Sequence, residues 1–447
     1  MRGVMLLALG IMLLSVVDSQ TDDDWLMFMH DPQHTGFSPS TINQIQLLWV
    51  FDSRSQTYNL RTLFGNFPKI YGSPVVKEGS VYFIGDETIF SIDAKTGIKK
   101  WKKDVSSLNS GIATLDDYLF LLTNKGMVVL NSREGNEIWE FSVRGRYSKD
   151  IRGQLHEQII SYPSAFGNLV VFGTGNPFIM YGNPPPEISE HNFLIALDIK
   201  EKKEIWKFNT LFSYPFSPLM TTQKLIIGDG SIICFNLESG DILWKNDNLS
   251  ISTTSSLSSF SNRIFFISFR EKVVSLDIET GNLIWSKDIG EWMNTTPALA
   301  YNKVFVISGD GILHALDMIS GQEIWKTRVW YGHLKTNEGY FAPSPVIADH
   351  KLFVGSKDGT IYCFNTETGQ EIWEYKTESE ILSTPAIADG KLFVATTDGK
   401  LYAFGEKEAE TRFIRGYSRE IMTLLLILLI VSLLVISIKL LRRFSKK

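Results

Sequence analysis

Ser275-Leu-Asp-Ile-Glu-Thr-Gly-Asn-Leu-Ile-Trp285 is one of seven copies of an eleven-residue unit. Two others are ALDMISGQEIW (315–325) and CFNTETGQEIW (363–373), and four more end at Trp101, Trp139, Trp206 and Trp244. Each residue type has a physical reason. An Asp or Asn closes one strand and bonds backbone N–H groups just beyond itself. Gly supplies the positive φ of the turn. The next strand carries Trp, whose large flat ring suits the gap between two packed sheets. Before each unit an alternating strand pair is split by a tight turn, as in KLFVGSKDGTIYCFN (351–365), with Asp-Gly as the hairpin signal. A strand opening with Pro precedes that pair, as in SPVI (344–347) and TPAI (384–387).

Working outward, the regular distances between successive unit tryptophans are 38, 38, 41 and 40 residues (101 to 139, 206 to 244, 244 to 285, 285 to 325). That is one four-stranded blade per repeat. Seven blades carry the whole unit. An eighth, 383–405, lacks its Trp strand, and an orphan strand, Leu47-Leu48-Trp49-Val50-Phe51, waits near the N-terminus. Joining the two closes a ring and removes a free sheet edge. The expectation is an all-β, eight-bladed β-propeller with an N-terminal strand closing the last blade. Its docking residues are Trp49, Trp101, Trp139, Trp206, Trp244, Trp285, Trp325 and Trp373.

The flanks read differently. Residues 1–19 have Arg2, an apolar stretch from Val4 to Val17 and a small-residue exit at Ser19, the pattern of a signal peptide. The propeller is assigned to 20–405 and a charged linker to 406–420. Residues 421–438 are almost wholly apolar; at 1.5 Å per residue they make about 27 Å of helix, one bilayer core. The tail 439–447 carries Lys439, Arg442, Arg443, Lys446 and Lys447. The positive-inside rule places that tail in the cytoplasm and the propeller outside, as a single-pass protein of the cell membrane. A formal net charge of -5 argues against a nucleic-acid partner. Cys234 and Cys363 occupy equivalent repeat positions, so two free buried thiols are expected.

The Asp/Asn-x-x-Thr/Ser-Gly-x-x-x-Trp repeat resembles that of the PQQ-like β-propeller superfamily, which includes quinoprotein alcohol dehydrogenases and the outer-membrane assembly lipoprotein BamB. The opening DDWLMFMHDPQHTGFSPS (23–40) resembles the lead-in of many archaeal and bacterial members. The resemblance spans about 24–405 and implies the fold; function lives in grafted sites. Phe172-Gly-Thr-Gly-Asn-Pro177 resembles the dehydrogenase segment that gives an Asn to the calcium beside PQQ, which here implies Asn176. The rest of that site has no counterpart: no adjacent Cys-Cys pair, no acidic segment after Trp206, no matching Glu. A retained loop-opening turn is the favoured reading, with no cofactor and no catalytic residue expected. PQQ with calcium belongs to the alternative, an oxidoreductase.

In a four-stranded meander, labelled A to D from the bore outward, B–C and D–A connections share one face. The long connections, 52–72, 144–160, 174–192 and 330–342, are three D–A and one B–C. Binding residues concentrate in such loops. Arg61, Arg144, Arg146, Arg152, His156, Trp330, Tyr331, His333 and Tyr340 are therefore the candidates for a ligand face. A non-catalytic cell-surface propeller binding a protein or glycan there, or serving as an envelope scaffold like BamB, is the expectation. His30 and His34 are spaced for a helical metal site, but Pro32 lies between them and no third ligand follows, which favours packing.

Overall fold

The structure is a computed structural model that describes residues 23–31, 33–56, 72–85, 87–106, 108–123, 125–143, 148–149, 155–156, 159–160, 162–175, 192–210, 217–249, 256–268, 272–290, 295–329 and 343–407. Backbone contacts divide the chain into 1–405 and 406–447. Among the described residues no helix is long and apolar enough to cross a membrane. Residues 1–19, 421–438 and 439–447, read above as signal peptide, anchor and tail, lie outside the described residues.

Residues 46–405 form eight antiparallel meanders arranged as the blades of a propeller. Blades 1 to 7 occupy 75–104, 108–142, 164–209, 219–246, 258–288, 298–328 and 346–376. Blade 8 is assembled from the two ends of the ring. Ala386–Ala388, Lys391–Ala395 and Lys400–Gly405 give its A, B and C strands, and Gln46–Asp52 pairs antiparallel with Lys400–Gly405 as strand D. The expected closure is therefore present, with Trp49 opposite Ala403. B and C strands are buried on both sides, as in Lys303–Ile307, whereas D strands alternate exposed and half-buried residues and form the rim.

The Trp unit works as expected, with detail the repeat alone did not show. Asp277 Oδ1 accepts from Glu279 N, Thr280 N and Thr280 Oγ1 at 2.9–3.0 Å, fixing the C–D turn. Six tryptophans donate through Nε1 to a carbonyl of the next blade's C–D turn at 3.0–3.3 Å: Trp49 to Ala94, Trp101 to Ser132, Trp206 to Leu237, Trp244 to Ile278, Trp285 to Met318, Trp325 to Thr366. The same rings lie on the turn glycines 97, 135, 240, 281, 321 and 369, where an added Cβ would stand 2.4–2.7 Å away. Those glycines have φ of +69° to +75°, so both conformation and close approach require them. The rings are half-buried, except Trp285 at 9% exposure, so they seal the outer part of each junction.

Every D strand carries a β-bulge at the residue before its Trp. Opposite the Trp stands a small residue: Ala403, Ser91, Ala196, Cys234, Ser275, Ala315 or Cys363, with Val129 as the exception. This explains the cysteines. Both are free and buried; burial pushes the Cys234 thiol up to about 12 and Cys363 up as well. Near the bore, a hydroxyl relay that the Pro motif hid ties blade to blade. Ser256 N donates to Thr296 Oγ1, Thr296 N to Ser344 Oγ, Ser344 N to Thr384 Oγ1 and Thr384 N to Ser73 Oγ, at 2.9–3.2 Å. The last link crosses the closure of the ring.

Candidate functional site

The four long connections leave from one face, as the sequence predicts. They join Gln46–Asp52 to Val75–Lys77, Glu137–Ser142 to Ser164–Phe166, Leu169–Gly175 to Phe193–Asp198, and Glu323–Arg328 to Val346–Ala348. Arg61, Arg144, Arg146, Arg152, Trp330, Tyr331, His333, Tyr340 and Asn176 lie outside the described residues. His156 ends the short strand Leu155–His156, which pairs antiparallel with Ser148–Lys149 and places His156 opposite Ser148. Ile159–Ile160 pairs with Thr174 and Gly175, extending the B strand of blade 3. Two of the four insertions are thus joined at their bases by backbone hydrogen bonds.

Charged turns on this face escaped the sequence reading. Blades 6, 7 and 8 share a Ser/Thr-x-Asp-Gly B–C turn, at Ser308, Ser356 and Thr396. In each the hydroxyl donates to the Asp carboxylate: Ser308 to Asp310 at 2.5 Å, Ser356 to Asp358, Thr396 to Asp398 at 2.6 Å. The Asp358 and Asp398 carboxylates have basic neighbours. Lys376 lies 3.5 Å from Asp358, while Arg54 and Lys400 lie 3.7 and 3.6 Å from Asp398. Arg328 donates to the Asp310 carbonyl at 2.9 Å. Arg54 also forks onto Asp52 at 2.8 and 3.0 Å, and this bond holds the Asp52 carboxyl below its ordinary range. The signal was a short motif repeated once per blade, which hairpin reading absorbs as a turn.

The other end of the bore is crossed by residues 25–40. Trp25 and Val76 exchange backbone bonds at 2.8 and 2.7 Å; Thr114 N donates to Leu26 O, Ser259 N to Gln33 O, Leu299 N to Thr35 O and Ile347 N to Gly36 O at 2.7–2.9 Å. Each of these A-strand residues lies two before the positive-φ residue of an A–B turn, namely Glu78, Asp116, Ser261, Tyr301 and Asp349. The segment therefore spans blades 1, 2, 5, 6 and 7 at the A–B end. Phe37–Ser38 adds a parallel strand to blade 7. His34 is wholly buried, donates from Nδ1 to Leu257 O at 2.8 Å, and desolvation pushes its imidazole down to about 4. It is a packing histidine, as expected. Among the described residues the buried nitrogens Trp25 Nε1, His30 Nε2 and His34 Nε2 have no partner, so ordered water is the natural one.

Among the described residues no three His, Cys, Asp or Glu side chains gather as a metal site. Cys234 and Cys363 lie in separate interblade clusters, far from the adjacent pair of a quinoprotein dehydrogenase.

The family model described as outer membrane protein assembly factor BamB matches residues 48–246, 228–332 and 309–425. The chain belongs to the BamB family of PQQ-like propellers. BamB of Nitrosomonas eutropha is 22% identical over 245 residues, covering 49% of this chain and 52% of that protein. BamB of Yersinia pestis is 22% identical over 283 residues, covering 62% and 67%. A polyvinylalcohol dehydrogenase of Pseudomonas sp is 29% identical over 171 residues, covering 30% and 26%. The chain thus spans about half of the first BamB relative. In structure it is similar to BamB of Moraxella catarrhalis, with TM-score 0.59, 14% identity and coverage of 81% and 100%. It is also similar to the quinohemoprotein alcohol dehydrogenase of Comamonas testosteroni, with TM-score 0.66, 14% identity and coverage of 88% and 83%. At these identities the two likenesses speak for the fold, which BamB and dehydrogenases share.

Proposed function

We propose that this chain is a non-catalytic propeller of the cell envelope that binds a protein or a glycan through its insertion-bearing face. The observation that carries this is the segregation of its connections. Four long ones leave a single face, while residues 25–40 cross the bore at the other end. The BamB relatives, titled assembly factors, support a protein partner and a scaffold role. In this reading residues 421–438 anchor the chain in the membrane, with 439–447 inside and the propeller outside. Protease added to intact cells then releases the propeller by cutting within 406–420.

The test replaces 330–342 in the full-length protein by a short Gly-Ser linker. Binding is measured on a glycan array and by photo-crosslinking from B–C and from A–B turn positions. Loss of binding at unchanged melting temperature, with crosslinks confined to the B–C side, is the expected result. Binding that survives the replacement and crosslinks from the A–B side sinks it. The rival, a PQQ- and calcium-dependent oxidoreductase, draws on the dehydrogenase likenesses. It requires that added PQQ and Ca²⁺ raise the melting temperature and that Asn176→Ala abolish the rise. The expected result is no rise.

A further inference from the structure

The rim strands of blades 5 to 7 run from aliphatic to charged. Strand D of blade 5 starts Leu283-Ile284 and ends at Asp288, that of blade 6 runs from Ile324 to Arg328, and that of blade 7 from Ile372 to Lys376. The aliphatic ends lie beside the C–D turns, on the side of the ring away from the insertions. Eleven large apolar side chains are exposed among the described residues. Ten of them, all but Val50, sit at this A–B/C–D end. They occupy the first three residues of D strands, two C–D turns (Ile98 and Ile319) and one A–B turn (Phe260).

The fold does not demand them. Five stand at the unpaired bulge position before the Trp, where blade 1 carries Lys100. Ile319 stands where blades 4, 5 and 7 have Glu238, Glu279 and Glu367. Phe260 stands where blades 6, 7 and 8 have Ala300, Ala348 and Ala388. The turn that presents Ile319 is fixed, with Ser320 N donating to Asp317 Oδ1 at 2.7 Å and Arg263 Nη1 to Ile319 O at 3.0 Å. Its side chain is nonetheless 66% exposed. Exposed apolar side chains gathered at one end of a propeller mark a contact surface.

The chain leaves the propeller at the same end. Strand C of blade 8 finishes at Gly405, opposite Gln46 and Lys391, beside the A–B turn. Fifteen residues, 406–420, then lead to the apolar 421–438; fully extended they reach no more than about 50 Å. Seven of the ten apolar side chains belong to blades 4, 5 and 6, and blade 4 lies half a ring from blade 8.

We propose that the A–B/C–D end docks on the lipid bilayer, with the apolar cluster of blades 4 to 6 set into the boundary between headgroups and acyl chains. This rests on the reading of 421–438 as a membrane anchor. The side chains lie at one level on blades 1, 3, 4, 5, 6 and 7. A plane touches such a ring together, whereas a globular partner covers only about 800 Å² of it. Interfacial segments sink about 5–10 Å, enough to take in a turn tip and the first two residues of strand D at about 3.4 Å each. Charges on the same turns stay among the headgroups. A weak contact suffices, because 406–420 keeps the effective concentration high. Held at blade 8 by the tether and at blades 4 to 6 by the cluster, the propeller turns its insertion-bearing face away from the membrane.

The test uses the full chain reconstituted in phosphatidylcholine vesicles. Nitroxides are placed, one at a time, on Phe260→Cys, Leu283→Cys and Ile319→Cys, and on Lys357→Cys in the exposed B–C turn of blade 7 as reference. The native thiols Cys234 and Cys363 are buried and do not compete for label. Power saturation compares collision with oxygen, which concentrates in the bilayer, and with a water-soluble nickel chelate. The expected oxygen-to-nickel ratio at 260, 283 and 319 is at least about threefold that at 357, and high salt leaves it unchanged. In the triple variant Phe260→Ser, Leu283→Thr, Ile319→Ser, a nitroxide on Ile324→Cys should show the ratio found at 357, at the wild-type melting temperature. Water-like ratios at 260, 283 and 319 in a chain that stays on the vesicles through an alkaline wash overturn the proposal. Spin–spin broadening between labelled copies also overturns it, by making a second copy the occupant. A chain that the wash strips off shows instead that 421–438 is no anchor, and the proposal falls with that reading.

Discussion

The junction between blades 6 and 7 and the junction between blades 2 and 3 use the same tryptophan in different settings. Trp325 donates to Thr366 O at 3.1 Å, lies on Gly369 and stands opposite Ala315. Trp139 has a buried Nε1 without a partner among the described residues and stands opposite Val129. The turn that faces it, Asp198-Ile-Lys-Glu-Lys202, has Lys202 at φ 55° in place of glycine. A side chain there keeps the ring from lying on the backbone, and the hydrogen bond goes with it. The irregular junction is flanked by two of the long insertions, whose bases pair through Ile159–Ile160 and Thr174–Gly175. Regular packing is thus relaxed beside the connections that the proposed function uses. Trp373 shows a second exception. Blade 8 takes its D strand from the N-terminus and has no C–D turn, so the ring packs edge-on against Phe404 at 5.4 Å instead.

The largest expected effect separates the two junctions directly. Trp325→Ala should cost about 3 kcal/mol, since it loses ring packing and a hydrogen bond, while Trp139→Ala should cost about 1–2. Trp325 is half-buried at the rim, which places the cost at the low end of the range for Trp deletion. Equal costs in chemical denaturation would break the comparison.

Acid should act on the regular side first, because His34 bonds the crossing segment to blade 5. Its folded imidazole is pushed down to about 4, so the unfolded chain binds the extra proton between about pH 6.5 and 4. Stability therefore falls as pH drops through that window, by about 2–3 kcal/mol. Hydrogen exchange at Ser259 N should accelerate before that at Thr114 N, and His34→Phe should flatten the acid limb. Simultaneous exchange would show that the segment detaches as a whole.

Gly369→Ala should cost about 2 kcal/mol, from positive φ together with a contact on Trp325, whereas Lys202→Ala should change stability by less than about 0.5. The smallest effect is a gain. Lys202→Gly relieves the left-handed backbone and should stabilise by about 0.5–1 kcal/mol. A larger cost of Trp139→Ala in that background would show the ring settling onto the turn.

Much of this was legible in the chain. The Trp unit, its period and the orphan strand at Trp49 led to eight blades and to the closure, because strand alternation and turn chemistry are local and repeat. The shared face of the four insertions followed from counting strands. The cysteines were read as buried thiols. Their place opposite a Trp ring emerged only from the register, which the bulge at Leu243 or Ile372 shifts by one. Arg144, Trp330 and the other ligand-face candidates lie outside the described residues, so their grouping rests on their anchoring strands.

The sequence by itself determined the architecture, since each blade's pattern is set by residues within about forty positions of one another. Only the tertiary structure decided how the blades grip each other and what crosses the bore. The Ser73–Thr384 link and the Leu257–His34 bond join residues whose separations carry no period. Hydrogen-bond partners of that kind are fixed by ring closure and burial, which bring distant polar groups together where water cannot serve them.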